Sequence, residues 1–143
     1  MRVMGLDIGE KRIGVAVANT TTGIASPLRV MDAREVLDNA RTWRMLVDDN
    51  EPELLVCGLP KTMRGSVGQQ AARIRERAER IAQTCGLPVE FVDERLSSAE
   101  AKRLLREQGL SEREMRGKID SVAASLFLET WLAANDGHKM EEQ

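Results

Sequence analysis

The first third of the chain carries its apolar residues in short, β-branched runs with hairpin-length breaks. Arg2 to Ile8 (RVMGLDI) and Ile13 to Ala18 (IGVAVA) predict two strands joined by Gly9-Glu10-Lys11-Arg12. Ser26 to Met31 (SPLRVM) predicts a third strand, which Pro27 pushes towards a sheet edge. From Asp32 the period changes. Val36, Leu37, Ala40, Trp43, Leu46 and Val47 recur at helical spacing behind a capping-box-like Asp32 and Glu35, and Asn50 and Pro52 end the helix. Leu54 to Cys57 is a continuous apolar run, the pattern of a buried central strand, and Gly58-Leu59-Pro60 reads as its end.

Residues 61–68 are polar and glycine-bearing and read as a loop, a candidate substrate flap. Behind a Ser66 and Gln69 capping box, apolar positions 67, 71, 74, 78, 81 and 85 make one regular helical stripe, stopped by Gly86 and Pro88. Val89 to Val92 predicts a fifth strand, ending at Asp93-Glu94-Arg95. Ser97 with Glu100 and Ser111 with Glu114 open two further helical segments, interrupted at Gly109 and Gly117. Ile119, Val122, Ala123, Leu126, Phe127 and Trp131 then mark a terminal helix to about Ala134, and residues 135–143 read as a disordered acidic tail. The order β-β-β-α-β-α-β-α-α predicts one α/β domain over residues 1–134, with helices on both faces of a five-stranded mixed sheet.

Composition narrows the chemistry. The 143 residues hold one histidine, two cysteines, no tyrosine and four other aromatics. No zinc spacing is present, and His138 stands in the polar tail, so triad and histidine-base chemistry have little to work with. Four mostly core-patterned aromatics do not make a stacking platform for single strands. Cys57 and Cys85 read as reduced packing residues. No apolar run is long enough to span a membrane, and the charged residues within the first twelve exclude a normal signal peptide, so a cytoplasmic protein is expected. The net charge of −2 is a cancellation: residues 61–80 (six basic, two acidic) and 95–118 (seven basic, four acidic) are basic, while 31–54 and 129–143 are acidic.

What remains for chemistry is carboxylates. Asp7 lies inside an apolar strand, where a charge is costly unless paired or bound to metal. Glu94 lies just past a strand end, and Asp120 in the first turn of the terminal helix. Together they have the makings of a divalent-cation site. Each also has a purely structural reading: Asp7 on the N–H groups of the Gly9–Lys11 turn, Glu94 paired with Arg95 or Lys118, Asp120 as a first-turn acid on the helix dipole. The segment Asp7-Ile8-Gly9-Glu10-Lys11-Arg12-Ile13-Gly14-Val15-Ala16 is more specific. A DxGxxxxGVA turn between strands occurs in metal-dependent nucleases and resolvases of the ribonuclease H-like superfamily, and in the sugar kinase, actin and heat-shock ATPase group. The latter clamp a nucleotide between two such domains, and 143 residues hold one.

Taken in order, Gly5-Leu6-Asp7-Ile8-Gly9 with Lys11-Arg12-Ile13-Gly14-Val15-Ala16, Gly58-Leu59-Pro60 with Met63 and Gly65-Ser66, Asp93-Glu94-Arg95-Leu96-Ser97-Ser98, and Lys118-Ile119-Asp120-Ser121 with Ala123-Ala124 closely resemble the YqgF-type family of pre-16S ribosomal RNA nucleases, also described as Holliday junction resolvase-like. The resemblance covers roughly residues 3–134. It implies a ribonuclease H-like fold, with Asp7, Glu94 and Asp120 as catalytic residues and ligands of Mg²⁺ or Mn²⁺. It implies a nuclease that hydrolyses phosphodiester bonds in 5′-end maturation of pre-16S ribosomal RNA. Lys11, Arg12, Arg64, Arg95 and Lys118 are candidates to contact the phosphates of structured RNA or branched DNA. Where the family loop often reads Met-Asp-Gly, this chain has Met63-Arg64-Gly65, which puts any acidic role there in doubt. A junction resolvase, or a non-catalytic nucleic-acid-binding or ribosome assembly factor, are the competing readings. Trimming needs one site and suits a monomer; symmetric junction cutting requires a homodimer.

Overall fold

A computed structural model describes residues 1–60, 65–94 and 97–141, with the side chains of 65–67 and 136–141 left aside. Five strands form one sheet: β1 (Arg2–Ile8), β2 (Arg12–Asn19), β3 (Ile24–Asp32), β4 (Leu54–Leu59) and β5 (Val89–Asp93), in the order β3-β2-β1-β4-β5. The first three are antiparallel neighbours, while β4 and β5 add in parallel to β1. The parallel strands β1, β4 and β5 therefore end at the same side of the sheet, where an open α/β sheet offers a crevice.

Side chains alternate across the sheet and divide the core in two. Met4, Leu6 and Ile8 of β1 join Ile13, Val15, Leu55, Cys57 and Leu59 beneath α1 (Ala33–Leu37), α2 (Arg41–Asn50) and α3 (Gly65–Cys85). Trp43 fills the centre of that layer. Val3, Ala16, Ala18, Leu54 and Val56 face the other way, against Ala124, Phe127, Leu128 and Trp131 of α6 (Ile119–Glu141). The Trp131 indole N–H donates to Glu90 of β5 at 3.3 Å, tying the middle of that helix to the sheet. Helices α4 (Ser97–Glu107) and α5 (Glu112–Arg116) complete the α6 side, with Ala101, Leu105 and Met115 buried.

Five local expectations need correction. The helix expected from Asp32 to Asn50 is two helices, because Asn39 adopts a left-handed conformation (φ 54°) that asparagine tolerates. The capping box there is half made: Asp32 accepts from the Arg34 N–H at 2.9 Å, but the Glu35 carboxylate accepts the Thr42 hydroxyl at 3.1 Å across the break. The loop expected over 61–68 is already helix from Gly65, so Ser66 falls inside α3; residues 61–64, with Arg64, lie outside the described residues. Gly58 does not end its strand but lies within β4. Helix α6 runs to Glu141, past the Ala134 at which its apolar stripe was expected to end it. The Ser111–Glu114 box is formed in both directions, with Glu114 N–H to Ser111 Oγ at 3.2 Å and Ser111 N–H to Glu114 Oε1 at 3.1 Å.

Candidate active site

Asp7 sits at the end of β1 on the face covered by α6, and both of its cross-strand neighbours are glycines. Gly14 of β2 is its register partner, and the parallel pairing of Leu6 with Cys57 brings Gly58 of β4 alongside. Neither glycine is idle space. A Cβ on Gly14 would stand 2.1 Å from the carbonyl carbon and oxygen of Asp120. One on Gly58 would stand 2.7 Å from Glu94 Cβ and 3.0 Å from Glu94 Oε2. The missing side chains on either side of Asp7 are thus the spaces that admit the start of α6 and the Glu94 side chain.

The backbones around these residues are tied down. Glu94 N–H donates to the Leu59 carbonyl at 3.0 Å, and the Glu94 carbonyl accepts from Ser97 N–H at 3.0 Å, which pins Glu94 between the end of β4 and the start of α4. Lys118 accepts from the Ser121 hydroxyl and the Val122 N–H, both at 3.0 Å, setting the first turn of α6. The β1–β2 turn closes through Gly9 N–H to the Arg12 carbonyl at 2.9 Å, and Arg77 of α3 grips it from below, with Nη1 2.9 Å from the Gly9 carbonyl.

Electrostatically the site is under stress. Burial first, then the charges of Glu94 and Asp120, push the Asp7 carboxyl up to about 8, and a hydrogen bond to Glu94 holds its proton. Glu94 is also raised, chiefly by burial, although the proton it accepts from Asp7 works the other way. Behind them, burial raises the Cys57 thiol far above its ordinary value, with the Asp7 charge adding to it, so Cys57 is an inert packing residue. Asp120 has a different partner: Arg12 Nε donates to its Oδ2 at 3.2 Å. Among the described residues no three His, Cys, Asp or Glu side chains converge closely enough to hold a metal as they stand. The donor set still fits one. Three carboxylates of mixed burial, two of them sharing a proton, are hard oxygen ligands of the kind Mg²⁺ or Mn²⁺ prefers.

The structure brings Asp7, Glu94 and Asp120 together at one sheet end, with Lys11, Arg12 and Lys118 exposed at its rim. Arg95 and Arg64 lie outside the described residues. Gly58 was missed as a site residue, yet its signal was there: a glycine in an otherwise apolar, buried strand marks a close approach. Arg77 was also missed, since nothing in its helical charge run distinguishes it from its neighbours.

The model of the RuvX family, described as Holliday junction resolvase, matches residues 1–134. The chain belongs to the RuvX family. It is 43% identical over 129 residues to the protein of Acaryochloris marina named "Putative pre-16S rRNA nuclease", covering 90% of each chain. It is 43% identical over 132 residues to the protein of that name from Anaeromyxobacter sp., covering 92% of this chain and 96% of the other. Among solved structures, RuvC of T. thermophilus in complex with a Holliday junction substrate superposes with a TM-score of 0.57 at 18% identity, covering 96% of both chains. The fowlpox virus resolvase in complex with Holliday junction DNA superposes with a TM-score of 0.52 at 10% identity, covering 92% of this chain and 99% of that one. These likenesses show the fold, and the ribonuclease H-like architecture expected of the RuvX chain is the one it adopts. No helix among the described residues is long and apolar enough to cross a membrane.

Proposed function

We propose that this RuvX protein is a cytoplasmic, metal-dependent nuclease that hydrolyses phosphodiester bonds in 5′-end maturation of pre-16S ribosomal RNA. The observation that carries this reading is Asp7 flanked by Gly14 and Gly58, with Glu94 and the Asp120 backbone seated in the space the glycines leave. Two hydrogen-bonded carboxyls and a third acid at a sheet end form a cluster that is costly until cations balance it. The names of its close relatives support the choice of substrate.

Asp7, Glu94 and Asp120 would hold Mg²⁺ or Mn²⁺, whose charge would favour attack of water on phosphorus and departure of the leaving oxygen. Asp7, fixed in the sheet centre, is the rigid anchor. Its raised pKa opposes loss of its proton, so a bound cation would have to take that proton's place. Glu94 is oriented by the β4 end and Asp120 by the first turn of α6. Lys11, Arg12 and Lys118, with Arg64 and Arg95, contact backbone phosphates and fix the scissile one against the acids. Two specific observations favour a second reading, cleavage of branched DNA: the description of the matching family and the fold shared with junction resolvases.

The test is cleavage of labelled precursor ribosomal RNA and of a four-way DNA junction in Mg²⁺ or Mn²⁺. Wild type is expected to cut the precursor. Asp7→Asn and Glu94→Gln are expected to lose about a hundredfold or more, since metal-borne charge stabilisation amounts to several kcal/mol. Failure of wild type on both substrates, or equal cutting by the variants, refutes the reading. Cutting of the junction alone by a dimer selects the resolvase.

A further inference from the structure

The Arg12–Asp120 pair is placed where the cation site needs its third ligand. The α6 backbone at Asp120 packs closely against Gly14 of β2, which lacks the side chain that would stand in its way. The side chain of Asp120 faces Arg12, accepting from its Nε at 3.2 Å. The guanidinium reaches in from solvent, with its side chain 59% exposed against 25% for Asp120. Its terminal nitrogens make no hydrogen bond among the described residues. They are therefore free to meet a phosphate first.

We propose that Arg12 is the counter-ion that occupies Asp120 in the absence of a divalent cation. A nucleic-acid phosphate that draws Arg12 away releases the carboxylate to complete the cation site. This rests on the acidic site described above, and it makes Arg12 a positioning residue acting through Asp120. Phosphate and carboxylate compete for one guanidinium, and Arg12 and the cation compete for one carboxylate. Each ligand therefore helps the other: nucleic acid tightens cation binding, and by linkage the cation tightens nucleic-acid binding by the same factor. An enzyme so built loads its cation fully only when substrate is in place.

The experiment is titration of the full chain with Mn²⁺, without nucleic acid, followed by calorimetry, for wild type, Arg12→Gln and Lys11→Gln. Lys11 lies next to Arg12 on the same turn and meets no carboxylate among the described residues, so its loss controls for charge alone. An exposed ion pair of this kind converts to a factor of roughly two to five. Arg12→Gln is expected to bind Mn²⁺ about that much more tightly than wild type, and Lys11→Gln to bind as wild type does. Anisotropy of a labelled RNA duplex, with Ca²⁺ as the cation, is expected to show less cation-induced tightening in Arg12→Gln. Arg12→Lys, which keeps a cation on the turn, covers the case in which Arg12→Gln fails to fold, and is expected to bind Mn²⁺ more tightly by a smaller factor. Unchanged or weaker Mn²⁺ binding in both Arg12 variants, or equal tightening by Lys11→Gln, overturns the role of Arg12 alone. Absence of Mn²⁺ binding in every protein overturns this role and the cation site together.

Discussion

Replacing Asp7 by Asn is expected to destroy activity and stabilise the protein, and the size of the gain follows from the position of Asp7. Its carboxyl titrates near 3.8 when free and is pushed up to about 8 in the fold. Between those values the folded state carries one proton more than the unfolded chain, so stability falls as pH rises, by about 1.4 kcal/mol per pH unit. Carried to pH 7.5 the full sum is about 5 kcal/mol. Asp7 keeps an edge open to solvent, which screens part of this, so about 2–3 kcal/mol is the expected gain. Asparagine has the same shape, donates an N–H to Glu94 as the protonated acid does, and never carries the charge. For a domain of this length the gain is roughly 6–12 °C in melting temperature. The assay is thermal unfolding of both proteins without divalent cations from pH 4 to pH 8. The curves should meet near pH 4 and separate steadily above it, with Asp7→Asn on top. Saturating Mn²⁺ should raise wild type and leave the variant almost unmoved, because only a ligand that binds the folded state adds stability. A variant no more stable than wild type at pH 7.5, or a gap that does not shrink towards pH 4, refutes the account of Asp7 as a strained, buried acid.

Three further substitutions probe how the site is held. Gly58→Ala places a Cβ 2.7 Å from Glu94 Cβ and 3.0 Å from Phe127 Cδ2. It should cost about 1–3 kcal/mol in denaturant unfolding and lower cleavage by displacing Glu94, whereas unaltered cleavage would detach Glu94 from the reaction. Gly14→Ala is harsher, because the clash at 2.1 Å is with the backbone of Asp120 and no side chain can give way. A loss of about 3 kcal/mol or more is expected, or no folded protein at all, and near-native stability would contradict the close seating of α6. Ser111→Ala removes the half of the capping box on α5 that the Ser111 hydroxyl accepts from the Glu114 N–H, and leaves the Ser111 N–H to Glu114 Oε1 bond in place. It should cost about 1 kcal/mol in the same unfolding assay while leaving Mn²⁺ binding as in wild type.

The parts of this protein that its sequence made legible are those written in local periodicity. The strands, the apolar stripe of α3 from position 71 on and the Ser111–Glu114 box each depend on residues a few positions apart, and each forms within a residue or two of where the pattern put it. Where a contact across a break competes, the local rule loses. Glu35 has the spacing of a capping residue but bonds to Thr42, and the helix behind it breaks at Asn39. Asp7 stood out because a carboxylate within an apolar strand has no cheap explanation.

Its partners were harder to read. Glu94 and Asp120 reach Asp7 only through strand order and helix placement, and spacing in the chain carries no trace of either. The glycines are where that long-range geometry leaves a local mark. Gly14 and Gly58 cost β2 and β4 a packed side chain each, and a buried strand gives up such packing only where something else must come close. In a sheet, then, an acid with glycine at the same level on both neighbouring strands is stronger evidence of a site than an acid alone. The glycines show that the space around the carboxylate is already taken. What no such pattern predicts is the side-chain state: the pairing of Arg12 with Asp120 spans 108 positions. Under the role proposed for Arg12, it decides whether the three acids would act as one ligand set or as a pair and a spare. The sequence therefore points to the carboxylates, the glycines account for their convergence, and the ion pair at the rim is the contact through which we propose the set is completed.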